Sequence, residues 1–432
     1  MKRILIIALV FIMALFTVVS CGGGGNNNDS SSERTPRPES SGTNDPTPAP
    51  TIDFTPIEEL TYEFDANTQG IAITGYTGSS IEVRIPSEIE GQAVTSIRNF
   101  RGGNGLKNVF LPDTLVEIGN SAFFGNTSLT NIAIPQGVTT IGEKAFSETG
   151  SQLETVIIPN SVIEIGEKAF EGSSIKSIII PDSVIEIGEK AFTDSKLQDV
   201  IIGNGVVAIR ENTFRGCNDL ISATLGNGII IIEKQAFAET GLTSIIIPDS
   251  VIEIEYAAFI MSTSLEDVII GNNVEIIGSN VFSGTSLASI VIPDSVIEIG
   301  GGAFSNEQLG LSQLNWHYVV ESKLTNVVLG NSVKEIGSRA FLGQPISSIT
   351  IPDSVIEINS FAFSSCVNLV DVTLGNSLTT INNSAFKHSG VTNINIPESL
   401  TFIGVGAFYG TNITGETKEK ILEIGEHAYE DY

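Results

Sequence analysis

The fold class this sequence predicts is a mostly β repeat solenoid, and three observations predict it. A phenylalanine returns every 22 to 24 residues, a Leu-x-x-Ile-x-Ile pattern precedes it at a fixed distance, and Pro-Asp or Gly-Asn stands between the two. A unit this short cannot bury its own apolar face and depends on its neighbours.

The recurring rings are Phe100, Phe123, Phe146, Phe170, Phe192, Phe214, Phe237, Phe259, Phe282, Phe304, Phe341, Phe363, Phe386 and Phe408, about 14 units with one long step of 37 residues from Phe304 to Phe341. In the unit from Leu242 to Phe259 the apolar positions are Leu242, Ile245, Ile247, Val251, Ile254 and Phe259. β-branched residues favour a strand at its start, and Pro248-Asp249 supplies the turn that ends it. Gly-x-x-Ala-Phe then makes a tight return, so stacking the units places the rings in one internal column. At about 4.8 Å per parallel strand, the stack would be roughly 65 Å long, an arc or rod.

Leu-x-x-Ile-x-Ile is the strand signature of leucine-rich repeats, and the whole pattern, Leu-x-x-Ile-x-Ile-Pro-x-Ser-Val-x-x-Ile-Gly-x-x-Ala-Phe, resembles the BspA-like, or Treponema pallidum-type, leucine-rich repeat over about residues 60–429. Residues 70–97 also resemble the strand-rich entry cap of that family. The resemblance implies a secreted or surface protein of the kind that includes adhesins for host matrix proteins or other microbes. A right-handed parallel β-helix is the alternative fold; the recurrent Ala before Phe and its Gly-rich approach suit a compact turn better than a third flat strand.

Along the chain, residues 1–20 carry Lys2 and Arg3, an apolar run from Ile4 to Val19 and then Ser20-Cys21, the layout of a signal peptide. Val18-Val19-Ser20-Cys21 resembles the lipobox of bacterial lipoproteins, which implies acylation of Cys21 and attachment to the membrane only through that lipid. Residues 21–56 are Gly, Asn, Ser, Thr and Pro with hardly a large apolar side chain, a disordered tether. A β-rich cap over 57–97, the solenoid over 98–412 with an insertion at about 305–322, and a closing unit over 413–432 complete the division. The closing unit keeps Ile-Leu-Glu-Ile-Gly-Glu-His-Ala-Tyr, but its strand position holds polar Thr-Gly-Glu-Thr-Lys. After Ile201 the strand-ending turn alternates between Gly and Pro, a two-unit period that points to tandem duplication.

Period-two alternation sends the residue between the two strand isoleucines outward. That column runs Phe110, Ala133, Ile157, Ile179, Ile201, Thr224, Ile246, Ile269, Val291, Val328, Thr350, Thr373 and Asn395. Ile157, Ile179, Ile201, Ile246, Ile269 and Val291 make it a candidate ligand-binding stripe, rimmed by Ser177, Asp199, Ser244, Asp267 and Ser289. The insertion holds the sole tryptophan, Trp316, with His317 and Tyr318, candidate contacts of the type enriched in binding hot spots.

Glutamates at Glu117, Glu164, Glu186, Glu253, Glu298, Glu335 and Glu357, and aspartates at Asp113, Asp182, Asp249, Asp294 and Asp353, read as solvated ladders without calcium-binding spacing. Cys217 and Cys366 lie six units apart, too far for a disulfide, and read as buried thiols. The three histidines have no metal-like or triad-like neighbours, so no enzyme activity, metal or cofactor is expected. Without Lys2 and Arg3, 20 basic side chains face 50 acidic ones, a net charge of −30 that disfavours nucleic acid and favours a soluble monomer. The expected function is cell-surface binding or adhesion toward a host or microbial macromolecule, a host matrix protein among them; a self-associating structural component is the alternative.

Overall fold

Two short apolar stretches per unit become two parallel strands per coil, and equivalent strands of successive coils pair in register on two faces, a first sheet of longer strands that is broken into short runs and a second sheet of two-residue strands in two long runs. The computed structural model describes residues 54–100, 105–306 and 322–431. In the first sheet, made of the longer strands, Ser177–Ile180 pairs with Asp199–Ile202 and that with Ser222–Thr224, aligning Ile179, Ile201 and Thr224. In the second sheet two-residue strands such as Glu164–Ile165 and Glu186–Ile187 pair in the same way, and one ladder runs from Ala208–Ile209 to Phe402–Ile403. Both are parallel because every coil runs the same way round, with its crossover supplied by the rest of the coil.

The return through Gly-x-x-Ala-Phe is a chain of tight turns and not a third strand. Ala145 N–H donates to Gly142 and Ser147 N–H to Lys144, three residues back in each case. The backbone enters the left-handed region two residues before the ring, at Lys144, Lys168 and Lys190 with φ of 54°, 55° and 57°. These turns still bond between coils: Phe146 N–H donates to Ala169 O at 2.7 Å, and Phe170 N–H to Ala191 O at 2.7 Å.

The phenylalanines form the predicted internal column. From Phe123 to Phe408 each ring stacks on the next, with centroids 5.1 to 5.5 Å apart and planes within 22° of parallel. The long step does not interrupt it: Phe304 and Phe341 sit 5.2 Å apart at 2°. Around the rings the inward Leu, Ile and Val of both sheets join one continuous buried cluster.

A tyrosine ends the column on each side, Tyr76 at 6.1 Å from Phe100 and Tyr429 at 6.2 Å from Phe408. At the first end the hairpin Leu60–Asp65 and Gly70–Tyr76 covers the sheet edge, and its second strand pairs in parallel with Gln92–Ile97. Buried Asp65 ties that end together, accepting from Ser96 Oγ (2.8 Å), Asn67 N–H (2.9 Å) and Arg98 Nη1 (3.1 Å).

The last unit departs from the expected strand. Its Thr-Gly-Glu-Thr-Lys segment falls in and before a helix, Gly415–Ile424, in which Glu, Lys and Leu are strong helix formers. Ile421 is buried and Ile424 packs on the core cluster three residues on, one face of a helical turn. The helix packs beside the last short strand, Phe402–Ile403.

Candidate binding surfaces

The first-sheet strands alternate, and the residue between the two inward positions faces solvent while its neighbours are buried or, as at Ala223 and Val268, partly buried. Ile157, Ile179, Ile201, Ile246, Ile269 and Val291 are 43 to 81% exposed, with Val156 and Ile158 on either side of Ile157 in the core. Register places Ile179 directly beside Ile201, Ile246 beside Ile269, and Val291 beside Val328. Thr224 breaks the stripe after Ile201, and at its start the Arg84 guanidinium lies 3.7 Å over the Phe110 ring. Ser177, Asp199, Ser244, Asp267 and Ser289 are exposed along its upstream side.

The corner between the sheets explains the alternation of Pro-Asp and Gly-Asn. In the pairs Asp182–Asn204, Asp249–Asn272, Asp294–Asn331 and Asp353–Asn376, one carboxylate oxygen accepts both the Asn backbone N–H (2.7 to 2.8 Å) and its side-chain amide (3.1 to 3.3 Å) from the next coil. The partner Gly is needed because its backbone closes on the Pro of the preceding coil: a Cβ on Gly271, Gly330 or Gly375 would come within 2.1 to 2.4 Å of a proline carbonyl oxygen. Asp182, Asp249, Asp294 and Asp353 thus alternate with asparagines of the next coil and are hydrogen-bonded to them, an arrangement Asp113 does not share. The glutamate positions do stack in places, as in Glu298, Glu335 and Glu357. Among the described residues no group of three or more His, Cys, Asp or Glu has metal-site geometry.

The model of the BspA type leucine rich repeat region, six copies, matches residues 95–220, 185–310 and 317–432, well over half of the chain. The chain belongs to the BspA-type leucine-rich-repeat family. Its fold is similar to that of a leucine-rich repeat protein from Bacteroides ovatus, at 26% identity over 86% of this chain and 96% of that one, with a TM-score of 0.61. Two more distant likenesses are a leucine rich cell surface protein from Faecalibacterium prausnitzii (22%, 87% and 97%, TM-score 0.42) and the leucine-rich-repeat protein of T. pallidum (20%, 86% and 96%, TM-score 0.22). Among curated proteins no match reaches significance.

Within the BspA-type coils Cys217 and Cys366 are free and buried, three residues after their phenylalanines, and each thiol donates to the phenylalanine carbonyl of the preceding coil: Cys217 to Phe192 O at 3.0 Å, Cys366 to Phe341 O at 3.1 Å. Burial pushes both thiols up to about 12, against the hydrogen bonds they receive, so both stay protonated at neutral pH. Ser262 at the equivalent place makes the same bond to Phe237 O at 2.8 Å, which marks the position as a coil-to-coil tie.

Cys21, Trp316, His317 and Tyr318 lie outside the described residues. A second exposed apolar column, missed by the sequence reading, runs along the short-strand sheet through Ile163, Ile185, Val207, Ile230 and Ile252, each 44 to 56% exposed. The signal was present in Ser-Val-Ile-Glu-Ile: only Val162 and Ile165 of that run are buried, so Ile163 and Glu164 both face out.

Proposed function

We propose that this BspA-type solenoid is a bacterial cell-envelope protein that binds another macromolecule, a host matrix protein among the candidates, through the outward column of its long-strand sheet. The observation that carries this reading is the set of isoleucines, 43 to 81% exposed, that stand side by side in register as Ile179–Ile201 and Ile246–Ile269 on strands whose polar edge is serine and aspartate. Such a stripe with a polar rim is the arrangement of protein-binding surfaces, and covering it would release about 25 cal/mol per Å² of apolar area. The lipobox-like Cys21 and the tether after it support display away from a membrane, with the Trp316 insertion as an additional contact.

The test is capture of purified host matrix proteins by the full chain and by the variant Ile179→Thr/Ile201→Thr/Ile246→Thr. Loss of capture with unchanged circular dichroism is expected, and equal capture by the two proteins would remove the column as the binding surface. Separately, Cys21→Ala should move the protein from the membrane to the soluble fraction.

A further inference from the structure

From the short-strand sheet we infer that the molecule has a second, independent docking face, suited to a cationic amphipathic polypeptide. Its apolar part is the column Ile163, Ile185, Val207, Ile230 and Ile252, one residue from each of five successive coils with no polar member among them. The long-strand column, by comparison, is interrupted at Thr224 within the same coils. Backbone bonds join its members in two runs, Ile185 N–H donating to Ile163 O at 2.9 Å, and Ile230 to Val207 and Ile252 to Ile230 at 2.8 Å each, the two runs of the short-strand sheet meeting between Ile187 and Ala208. With parallel strands about 4.8 Å apart, five members make a ridge of roughly 20 Å, enough for a short segment of a partner.

Charge selects the occupant. The residue after each column member is exposed or half-exposed, and it is Glu164, Glu186 and Glu253 in three of the five coils. Arg210 pairs with Glu186 at 2.9 Å, whereas among the described residues no lysine or arginine reaches Glu164 or Glu253. A second copy of a chain with a net charge of −28 would bring like charges together at this ridge. A segment with an apolar edge and lysine or arginine beside it would bury the isoleucines and pair the free carboxylates.

Fluorescence anisotropy with a labelled amphipathic Lys/Leu peptide, titrated with the full chain at about 0.15 M salt to screen distant charges, tests this. Ile185→Thr/Val207→Thr/Ile230→Thr should weaken binding about tenfold or more, and Glu164→Gln/Glu253→Gln several-fold, each near or above 1 kcal/mol in binding terms. The long-strand variant Ile179→Thr/Ile201→Thr/Ile246→Thr should leave the affinity unchanged, which separates this face from the one proposed above. Equal affinity in all variants would mean attraction by net charge alone and would overturn the inference. A concentration-dependent rise in mass that the short-strand variant abolishes would overturn it too, because the face would then join copies of the chain.

Discussion

The inner and outer columns of the same strands and turns obey different rules. Inside, the ring position is phenylalanine in coil after coil, because each ring must fill the space between two copies of itself at 5.1 to 5.5 Å. Outside, the same fold accepts Ile, Val, Thr and Asn at one position, as Ile201, Thr224, Val291 and Asn395 show. Repetition is thus imposed by packing where the chain is buried and only by choice of residue where it is wet. An exposed isoleucine stripe is not something the ladder requires, since Thr350 and Thr373 pair in it equally well.

The sharpest way to break the contrast is to remove one ring. Phe237→Ala would leave a cavity between Phe214 and Phe259, with neighbours at 5.1 and 5.3 Å on its two sides and backbone bonds that prevent collapse. A loss of about 3–5 kcal/mol is expected in urea unfolding. A loss below about 1 kcal/mol, the size of an ordinary substitution, would mean that the column does not hold the coils together.

The corner comes next, because it is exposed in part but tied between coils. Gly330→Ala places a Cβ 2.1 Å from Pro293 O, so backbone must move, and about 1–3 kcal/mol should be lost. Asp294→Ala removes the acceptor of Asn331 without that clash and should cost about 1 kcal/mol. Equal effects from the two changes would show that hydrogen bonding, not close approach, sets the Pro and Gly alternation.

How much of this was legible follows from the same contrast. The period, the phenylalanine column, the outward isoleucines and the unpaired cysteines could be read because each is a pattern within a single unit. The Asp–Asn tie could not, because its partners are 22, 23 or 37 residues apart and meet only when coils are superposed. The closing helix was hidden by Ile421-Leu422-Glu423-Ile424, which copies the short-strand motif while its flanking Lys and Glu favour a helix. The second apolar column escaped because Val162-Ile163-Glu164-Ile165 turns two adjacent side chains outward, against the period of two. For the insertion around Trp316, proximity to the stripe remains an expectation of sequence position alone.

Acid probes the first cap, where a buried carboxylate ties the hairpin to the next strand. Burial opposes ionisation of Asp65, but the Ser96 hydroxyl, the Asn67 amide and Arg98 outweigh it and hold the carboxyl below the usual range. A carboxyl lowered on folding stabilises above its unfolded value, near 3.9, and that stability is lost as pH falls through the lower folded value. Unfolding midpoints of the native chain should therefore drop below about pH 4, and Asp65→Asn should flatten that part of the profile. An unchanged slope in the variant would place the acid sensitivity elsewhere.

The smallest effect is expected where the fold is most permissive. Ile179→Thr/Ile201→Thr/Ile246→Thr keeps β-branching at three outward positions already occupied by Thr in other coils, so no cavity opens and no buried group loses a partner. Each change should alter stability by no more than about 0.5 kcal/mol in urea unfolding. A larger cost would mean that the stripe packs its own sheet, and its exposure would then have a structural reason. A cost within that limit leaves the isoleucines free of the fold, so that their recurrence in the coils on either side of Thr224 has no structural reason and fits the binding role proposed for them.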